Sequence, residues 1–352
     1  MMMKATSHKR KVTFVLPGRN RSGGVRVTVE MANRLLRLGY DVRIAYRAKR
    51  WLTPAWSWAL LQDAWLKAKG YTCTDWIDEF EGRLEMFFDL RALEFSTGEV
   101  VIAVGMYTVH DVNSLDSGVK KVRYNHGFSV GVTELTQSAW GLPMSTIVVA
   151  STLIPRMEKL SGQKVHAVVP NGLDRNEYFV ESGIRRDGIG IMFSSHPNKA
   201  PESIIQLVRR LREKWPDIPH YYYGTDARPK GLESGTYVRY PSVAEARRIY
   251  NKSLVWLSTS REEGFCLPIL EAMACGCAVV SADNLGALEL IRNGENGFLV
   301  PIDRIDPFME KIAVLLKSSE LRERIVERGC ETVRSFAWEE AVDRMDSFLK
   351  RI

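Results

Sequence analysis

The chain of 352 residues is 45% hydrophobic and 26% charged, which is the composition of a globular protein and excludes a disordered or fibrous one. It is too long for one ordinary core and predicts two domains of about 150 to 200 residues. No apolar run approaches the roughly 20 residues that span a bilayer, and no apolar segment follows the basic residues at the start, so we expect a cytoplasmic location.

Positive charge is concentrated in the first half of the chain. Residues 1–171 contain 23 Lys and Arg against 15 Asp and Glu, whereas residues 172–352 contain 26 against 27. This balance favours an anionic partner such as an acidic lipid surface or a phosphorylated substrate, with scattered solvated charge as the alternative. No recognition motif for nucleic acid accompanies the charge, so none is expected as a partner.

The five cysteines, Cys73, Cys266, Cys275, Cys277 and Cys330, are odd in number and form no CxxC pair. Neither a disulfide framework nor a zinc site is therefore predicted. Cys275 and Cys277 are expected to be buried as small apolar side chains.

Short β-branched or aromatic runs alternate with amphipathic stretches, which predicts an α/β fold of doubly wound parallel sheets. The first helix is predicted at 23–39, and PNGLD (170–174) places a domain boundary at about 171. Two such domains bind ligands at the carboxyl ends of their strands, in the cleft between them. The strands predicted in the first half are 11–17, 41–47, 99–105, 120–126, 145–151 and 164–170.

A glycine-rich loop separates the first predicted strand from the first helix. The amides of Gly23 and Gly24 at the helix start could hold a phosphate, aided by the positive end of the helix dipole. The spacing matches neither a P-loop nor the dinucleotide motif GxGxxG. The alternative is a tight turn that needs glycine.

The segment EEGFCLPILEAMACGCAVV (262–280) places Glu263 and Glu271 around a short predicted helix of roughly 268–275. The helix start would offer amides as a second anion site, and Glu271 could accept two hydrogen bonds from a vicinal diol such as a ribose. The alternatives are helix capping by Glu263 and an ion pair of Glu271. A carboxylate in an apolar segment is costly unless partnered, which favours a ligand role.

These residues resemble the GT-B glycosyltransferases, and within them the retaining family 4. The family signature EGFGLxxLEAMAxGxPVV stands here as EGFCLPILEAMACGCAVV, and PNGLD resembles its NGVD. SFAWEE resembles its FSWE, from which the last helix, about 336–352, packs back onto the first domain. The resemblance implies two facing Rossmann-like domains with an interdomain cleft, 1–171 for the acceptor and 172–335 for the donor.

The resemblance also implies roles for individual residues. Glu271 would bind the donor ribose and Glu263 the donor sugar, and the loop at Gly23 and Gly24 would cover the diphosphate. Glu289 falls on a second acidic position of the family. Further donor contacts would be Gly264, Phe265, Cys266, Leu267, Ser194 and His196.

The basic residues of the implied site depart from the family pattern at one position. Lys199 fits the lysine placed on the diphosphate, but Ser194 stands about where a basic partner is expected, and His196 or Arg261 could compensate. His126, just after a strand, falls where the family carries a histidine near the reacting sugar. A hydrogen-bonded structural histidine is the alternative.

Trp51, Trp58 and Trp65 recur every seven residues in a predicted helix within 47–70, which has basic residues at both ends. Such a face suits a peripheral membrane contact, as in family members that act on lipid acceptors. A core helix that packs its indoles inward is the alternative.

The resemblance implies transfer of a sugar from a nucleotide diphosphate donor to a saccharide or lipid-linked saccharide acceptor, with retained anomeric configuration. It also implies a role in cell-surface glycan or glycolipid synthesis at the inner face of the membrane. Glu263, His126 and Lys199 would be catalytic. No metal or other cofactor is expected, because two helix starts and Lys199 would stabilise the departing diphosphate. The alternatives are a nucleotide-sugar epimerase or hydrolase of the same fold and a non-catalytic nucleotide-sugar-binding subunit.

Overall fold

The computed structural model describes residues 10–19, 21–48, 75–128 and 134–352. Trp51, Trp58, Trp65 and Cys73 lie outside these ranges, so the membrane-contact hypothesis stays a prediction.

The described residues form two compact units. The N-terminal unit takes the residues up to Val149, together with Ile154–Val169 and Val342–Ile352. The C-terminal unit takes Ala150–Leu153 and Pro170–Ala341. The chain passes between the units before and after the segment Ala150–Leu153, at the PNGLD segment and again within the last helix.

The N-terminal unit contains a seven-stranded sheet in which all neighbouring strands are parallel. Its strands are β1 (Lys11–Leu16), β2 (Asp41–Arg47), β3 (Arg83–Phe87), β4 (Val100–Val104), β5 (Lys120–Asn125), β6 (Ser145–Val148) and β7 (Ala167–Val168). Its α-helices are α1 (Gly23–Arg37), α2 (Val109–Asn113), α3 (Glu134–Trp140) and α4 (Ile154–Ser161). The strand order is β3-β2-β1-β4-β5-β6-β7, so the winding reverses between β1 and β4.

The C-terminal unit contains a six-stranded parallel sheet. Its strands are β8 (Gly188–Phe193), β9 (His220–Gly224), β10 (Thr236–Arg239), β11 (Ser253–Ser258), β12 (Ala278–Ala282) and β13 (Phe298–Val300). Its helices are α5 (Pro201–Lys214), α6 (Val243–Lys252), α7 (Leu267–Ala274), α8 (Leu285–Leu290), α9 (Ile305–Lys317) and α10 (Ser319–Arg334), and α11 (Trp338–Arg351) follows. The order β10-β9-β8-β11-β12-β13 reverses between β8 and β11.

The central strands are continuous apolar runs because helices cover both faces of a parallel sheet. Every residue of β4 and of β12 is buried. Ser22 caps the start of helix α1, because its side chain accepts a hydrogen bond from the amide of Val25. The last turn of α1 contains Arg34 and Arg37, which complement the helix dipole. No described helix has the length and apolarity that a bilayer crossing requires.

The sequence predicted most strands correctly but missed β3 and extended β7. Strand β3 reads RLEMF and lies at the sheet edge, where partly exposed positions accept charged residues and weaken the alternating pattern. The predicted strand 164–170 pairs with β6 only through Ala167 and Val168, since it is the opposite edge strand.

Candidate functional site

The candidate donor site lies at the reversal point of the C-terminal sheet. In a doubly wound sheet the loops that follow the two strands flanking this point diverge and leave a crevice at the carboxyl edge. Here those loops follow β8 and β11. The first carries Ser194, His196 and Lys199, and the second carries Glu263.

The loop after β8 is folded by its own side chains. The Ser194 hydroxyl accepts a hydrogen bond from the His196 amide at 3.2 Å, and His196 Nδ1 accepts one from the Asn198 amide at 3.2 Å. Both side chains are thus engaged in a local turn. That turn leads into Lys199, where a single 3₁₀ turn ends just before α5.

Lys199 and Glu263 form an ion pair across the reversal point. Their side chains are 23% and 14% exposed, so the pair is largely removed from water. Burial alone would lower the pKa of Lys199, but the Glu263 carboxylate outweighs burial and raises it. The ammonium group therefore stays charged, and its two remaining N–H groups can serve a ligand.

The start of α7 carries backbone amides that have no backbone acceptor among the described residues. Cys266 has a left-handed conformation with φ 65°, in the position where the family signature has glycine, which costs about 1 to 2 kcal/mol for a residue with a side chain. Gly264, Phe265 and Cys266 are buried, yet no described backbone carbonyl accepts a hydrogen bond from their amides. The first amides of a helix have no intrahelical acceptor, so within the described residues these three amides are donors without a backbone partner.

The side chains of that turn point elsewhere. Phe265 is 2% exposed and packs edge-on against Phe336 with ring centroids 5.4 Å apart. Cys266 is buried with its sulfur 3.7 Å from the Ser258 hydroxyl. The predicted donor contacts at these two positions can therefore come only from their main chain.

Glu271 is buried one turn into α7 and is held by tyrosines. The Tyr250 hydroxyl donates to Glu271 Oε2 at 2.7 Å, and the Tyr223 hydroxyl lies 2.6 Å from that of Tyr250. Because Tyr250 gives its only proton to the carboxylate, Tyr223 must donate to Tyr250. Burial and the charge of Glu271 raise the pKa of Tyr250 well above its ordinary value, so the hydroxyl stays protonated.

Arg261 fastens the two loops together. Its Nε donates to Asp303 at 2.8 and 2.9 Å, its terminal nitrogens reach Glu202 and the Pro197 carbonyl, and its amide donates to the Asn198 carbonyl at 2.7 Å. With two carboxylates on its guanidinium, Arg261 is committed to positioning the loops. The structure gives it no spare charge to replace the cation missing at Ser194.

Gly286 and Glu289 of α8 lie next to the loop after β11, which carries Glu263. The Gly286 amide donates to the Glu263 carbonyl at 3.0 Å, and a Cβ at Gly286 would lie 2.8 Å from the Phe265 nitrogen, so only glycine fits. Glu289 accepts hydrogen bonds from the Ser151 hydroxyl at 2.7 Å and the Thr152 amide at 3.1 Å. Glu289 therefore anchors the short segment 150–153.

The predicted residues of the N-terminal unit form a separate cluster. Gly23 and Gly24 begin α1 at the carboxyl edge of β1, and a Cβ on Gly24 would lie 3.9 Å from the His126 ring. Both ring nitrogens of His126 are buried and have no hydrogen-bond partner among the described residues. Burial lowers the pKa of His126 to about 4, so the imidazole is neutral at physiological pH. No described residue supplies the hydrogen bond of a structural histidine, which was the alternative from the sequence.

The structure can be compared with the predictions for the cysteines and for metal ligands. Cys275 and Cys277 are buried as predicted, and burial raises the pKa of Cys277 to about 12. Within the described ranges, no group of three or more His, Cys, Asp or Glu side chains is arranged to hold a metal ion.

Sequence reasoning missed Tyr223 and Tyr250. They lie 48 and 21 positions before Glu271, on β9 and α6, and only the tertiary fold brings them to its carboxylate. The available signal was the cost of a buried carboxylate, which requires a donor but does not say which residue supplies it.

Solved structures show which fold the chain has. HepE from Anabaena, solved in complex with UDP and glucose, is similar with a TM-score of 0.76 and 15% identity, over 97% of this chain and 100% of that one. TarM is similar with a TM-score of 0.75 and 11% identity, over 97% of this chain and 99% of that one. The chain therefore has the GT-B fold, built from two Rossmann-like domains.

The sequence comparisons agree with that class. Residues 194–332 match the family model described as glycosyl transferases group 1, and this segment contains Lys199, Glu263 and Glu271. The phosphatidyl-myo-inositol mannosyltransferase of Mycobacterium tuberculosis is 25% identical over 201 residues, covering 52% of this chain and 53% of that protein. The chain thus spans about half the length of the curated relatives it matches. The family match and the fold together support a GT-B glycosyltransferase.

Proposed function

We propose that the protein is a retaining glycosyltransferase of family 4, which transfers a sugar from a nucleotide diphosphate donor to an acceptor hydroxyl. The observation that carries the proposal is the set of amides at Gly264, Phe265 and Cys266, which have no backbone acceptor in the described part of the chain and lie beside the Lys199–Glu263 pair. Backbone donors at a helix start together with a lysine form a site for phosphate oxygens.

The donor would bind along α7 in a defined order. Its diphosphate would accept hydrogen bonds from the amides and from Lys199, while Glu271, one turn further, would accept from the ribose hydroxyls. Glu263, on the other side of the turn, would contact the sugar. The negative charge that develops on the leaving diphosphate is then met by donors already in place.

The chemical route follows from these groups. Glu263 binds the lysine, Glu271 binds a tyrosine and Glu289 binds the segment 150–153. We assign none of them as a nucleophile, so we propose front-side displacement through an oxocarbenium-like state. In this route the leaving phosphate takes the proton of the acceptor. Because the amides and Lys199 supply the positive charge, we expect activity to persist in EDTA.

The acceptor is proposed by analogy alone. One relative is named for phosphatidyl-myo-inositol, which favours a saccharide or lipid-linked saccharide acceptor in glycan or glycolipid synthesis at the membrane surface. The bound UDP in HepE makes UDP sugars the first donors to test.

The test is incubation with a panel of nucleotide sugars, with and without saccharides or lipid extract, in EDTA. We expect nucleotide release that depends on the acceptor and a product whose anomeric configuration, read by NMR, matches that of the donor. Release without acceptor would indicate an epimerase or hydrolase, and binding without turnover a non-catalytic subunit. Failure of every nucleotide sugar to bind would refute the donor site.

Tyr250→Phe is expected to weaken UDP binding about tenfold with little change in kcat. The substitution removes one hydrogen bond to a buried carboxylate, worth about 1.5 kcal/mol, and frees Glu271 to leave the ribose. Calorimetry with UDP measures the effect. Tyr221→Phe is the matched control, because the Tyr221 hydroxyl donates to Asp187 at 2.8 Å at the amino edge of the sheet, opposite the carboxyl edge that carries the start of α7. Equal losses from both variants would contradict the role of Tyr250.

A further inference from the structure

Arg186 lies between the C-terminal ends of α6 and α7, the two helices that carry Tyr250 and Glu271. It belongs to the segment before β8 and is half-buried. Its Nη1 donates to the carbonyl oxygens of Tyr250 at 3.2 Å and Ser253 at 2.9 Å, at the end of α6. Its Nη2 donates to the carbonyl oxygen of Cys275 at 2.6 Å, at the end of α7. One guanidinium therefore joins the ends of both helices.

The ends of both helices require such a donor. The last carbonyl groups of a helix have no amide partner within it, and the helix dipole makes this end negative. An arginine presents its N–H groups in a rigid planar fork, so it can satisfy carbonyls on two segments at once, which the single nitrogen of a lysine cannot. The carbonyl contacts of Arg186 are divided in this way, with Nη1 on α6 and Nη2 on α7.

Asn251 of α6 holds the segment that carries Arg186 in place. Its Oδ1 accepts hydrogen bonds from the Glu181 amide at 2.8 Å and from Arg186 Nη2 at 3.2 Å. Its Nδ2 donates to the Phe179 carbonyl at 2.9 Å, and the whole residue is buried. A Cβ on Gly276 would lie 3.3 Å from Arg186 Nη2, so glycine at this position leaves room for the guanidinium.

The contacts of Arg186 form a closed circuit with the Glu271 carboxylate. Tyr250 contributes to this circuit twice, because its carbonyl accepts from Arg186 and its hydroxyl donates to Glu271 Oε2 at 2.7 Å. The Glu271 carbonyl accepts from the Cys275 amide at 3.0 Å, and the Cys275 carbonyl accepts from Arg186. A shift of one helix end against the other would therefore change the distance between the Tyr250 hydroxyl and the Glu271 carboxylate.

We propose that Arg186 is a positioning residue for the donor ribose. It fixes the end of α6 against the end of α7, and so holds the Glu271 carboxylate where it accepts hydrogen bonds from the ribose hydroxyls. Arg186 acts through Tyr250 and Glu271 rather than by touching the donor. This inference rests on the proposed function, because it assigns how the ribose contact of Glu271 is maintained. None of these hydrogen bonds reaches Lys199 or the turn at 264–266, so the diphosphate contacts are expected to be unaffected.

Calorimetry on the full chain tests the proposal with UDP or GDP, whichever binds more tightly, and with its dideoxyribose analogue, which lacks both ribose hydroxyls. Wild-type protein is expected to prefer the parent nucleotide about tenfold or more, and Arg186→Ala is expected to reduce this preference about five- to tenfold. Inorganic pyrophosphate, which has no ribose, should bind to both proteins with equal affinity. A merely structural role of Arg186 would weaken all three ligands alike.

Three further variants complete the test. Arg186→Lys keeps the charge but cannot span both helix ends, so it should also lose the preference, and it replaces Arg186→Ala if that variant fails to fold. Arg185→Ala is the matched control, because the neighbouring Arg185 side chain is 88% exposed and pairs with Asp187. Adding Arg186→Ala to Tyr250→Phe should reduce the preference little further, because both substitutions act through one carboxylate.

The outcomes separate the role of Arg186 from the proposed function. The role is overturned if Arg186→Lys and Arg186→Ala keep the wild-type preference, if Arg185→Ala loses as much, if pyrophosphate binding weakens equally, or if the losses add in the double variant. A wild-type protein that binds the parent nucleotide and its dideoxyribose analogue equally would instead refute the ribose contact of Glu271, and the positioning role with it.

Discussion

Replacing Lys199 with alanine is expected to lower kcat for sugar transfer by about 100- to 1000-fold, as removal of one oxyanion donor does elsewhere. The lysine is a charged donor beside the unpaired amides of α7, and its ammonium group also holds the carboxylate of Glu263. Loss of the charged donor and loss of the partner of Glu263 would both act at the position where charge develops on the leaving diphosphate. Steady-state kinetics with the best nucleotide sugar measures the loss, under the function proposed above.

Two comparisons distinguish the specific role of Lys199 from a general effect of positive charge and from a loss of folding. Lys317→Ala removes an exposed lysine at the end of α9 and should leave kcat unchanged. Because Lys199 and Glu263 are in contact, the losses in Lys199→Ala and Glu263→Gln should not add in the double variant. Wild-type turnover in Lys199→Ala, with UDP affinity intact, would remove this residue from the catalytic machinery.

Acidification is expected to destabilise the N-terminal unit through His126. The pKa of this histidine is about 4 in the fold and about 6.5 when unfolded. Between these values the unfolded chain binds the extra proton, so the stabilisation present above pH 6.5 is lost as the pH falls toward 4. The loss reaches about 3 kcal/mol for this one group.

Urea denaturation at a series of pH values, compared between wild type and His126→Leu, measures this contribution. The variant should be more stable at neutral pH by about 1 to 3 kcal/mol, because it removes two buried unpartnered nitrogens, and it should lose part of the acid slope. His166→Gln replaces an exposed histidine and should keep the full slope. An unchanged slope in His126→Leu would show that the ring is not buried neutral. A stabilised variant with depressed activity would support a functional reason for keeping the histidine.

Local pattern sufficed for much of the fold and for part of the candidate site. The strands β1, β2, β4, β5 and β6 follow from apolar runs, and helix α7 follows from Pro268 and Gly276, which all act over a few residues. The edge strand β3 did not, since it carries the charged residues Arg83 and Glu85 and only its last residue is fully buried. Lys199 and Glu263 are each implied by a separate motif, but their contact across the reversal point appears only in the fold.

Other features of the site could not be read from any pattern. The sequence makes Arg261 a candidate for the missing cation, but the structure commits it to Asp303 and Glu202, which are far from it in sequence. The left-handed backbone at Cys266 belongs to a residue type that rarely adopts it, so no propensity predicts it.

The sequence by itself determined the class of fold and the linear motif in which Glu263 and Glu271 flank a short helix, because strand periodicity, helix boundaries and motif spacing are local properties of the chain. Only the tertiary structure decided the partners: Lys199 for Glu263, and Tyr250 with Tyr223 for Glu271. A buried carboxylate requires a donor, but which residue supplies it depends on how the parallel strands and their crossover helices pack, and that is fixed by contacts between segments distant in sequence.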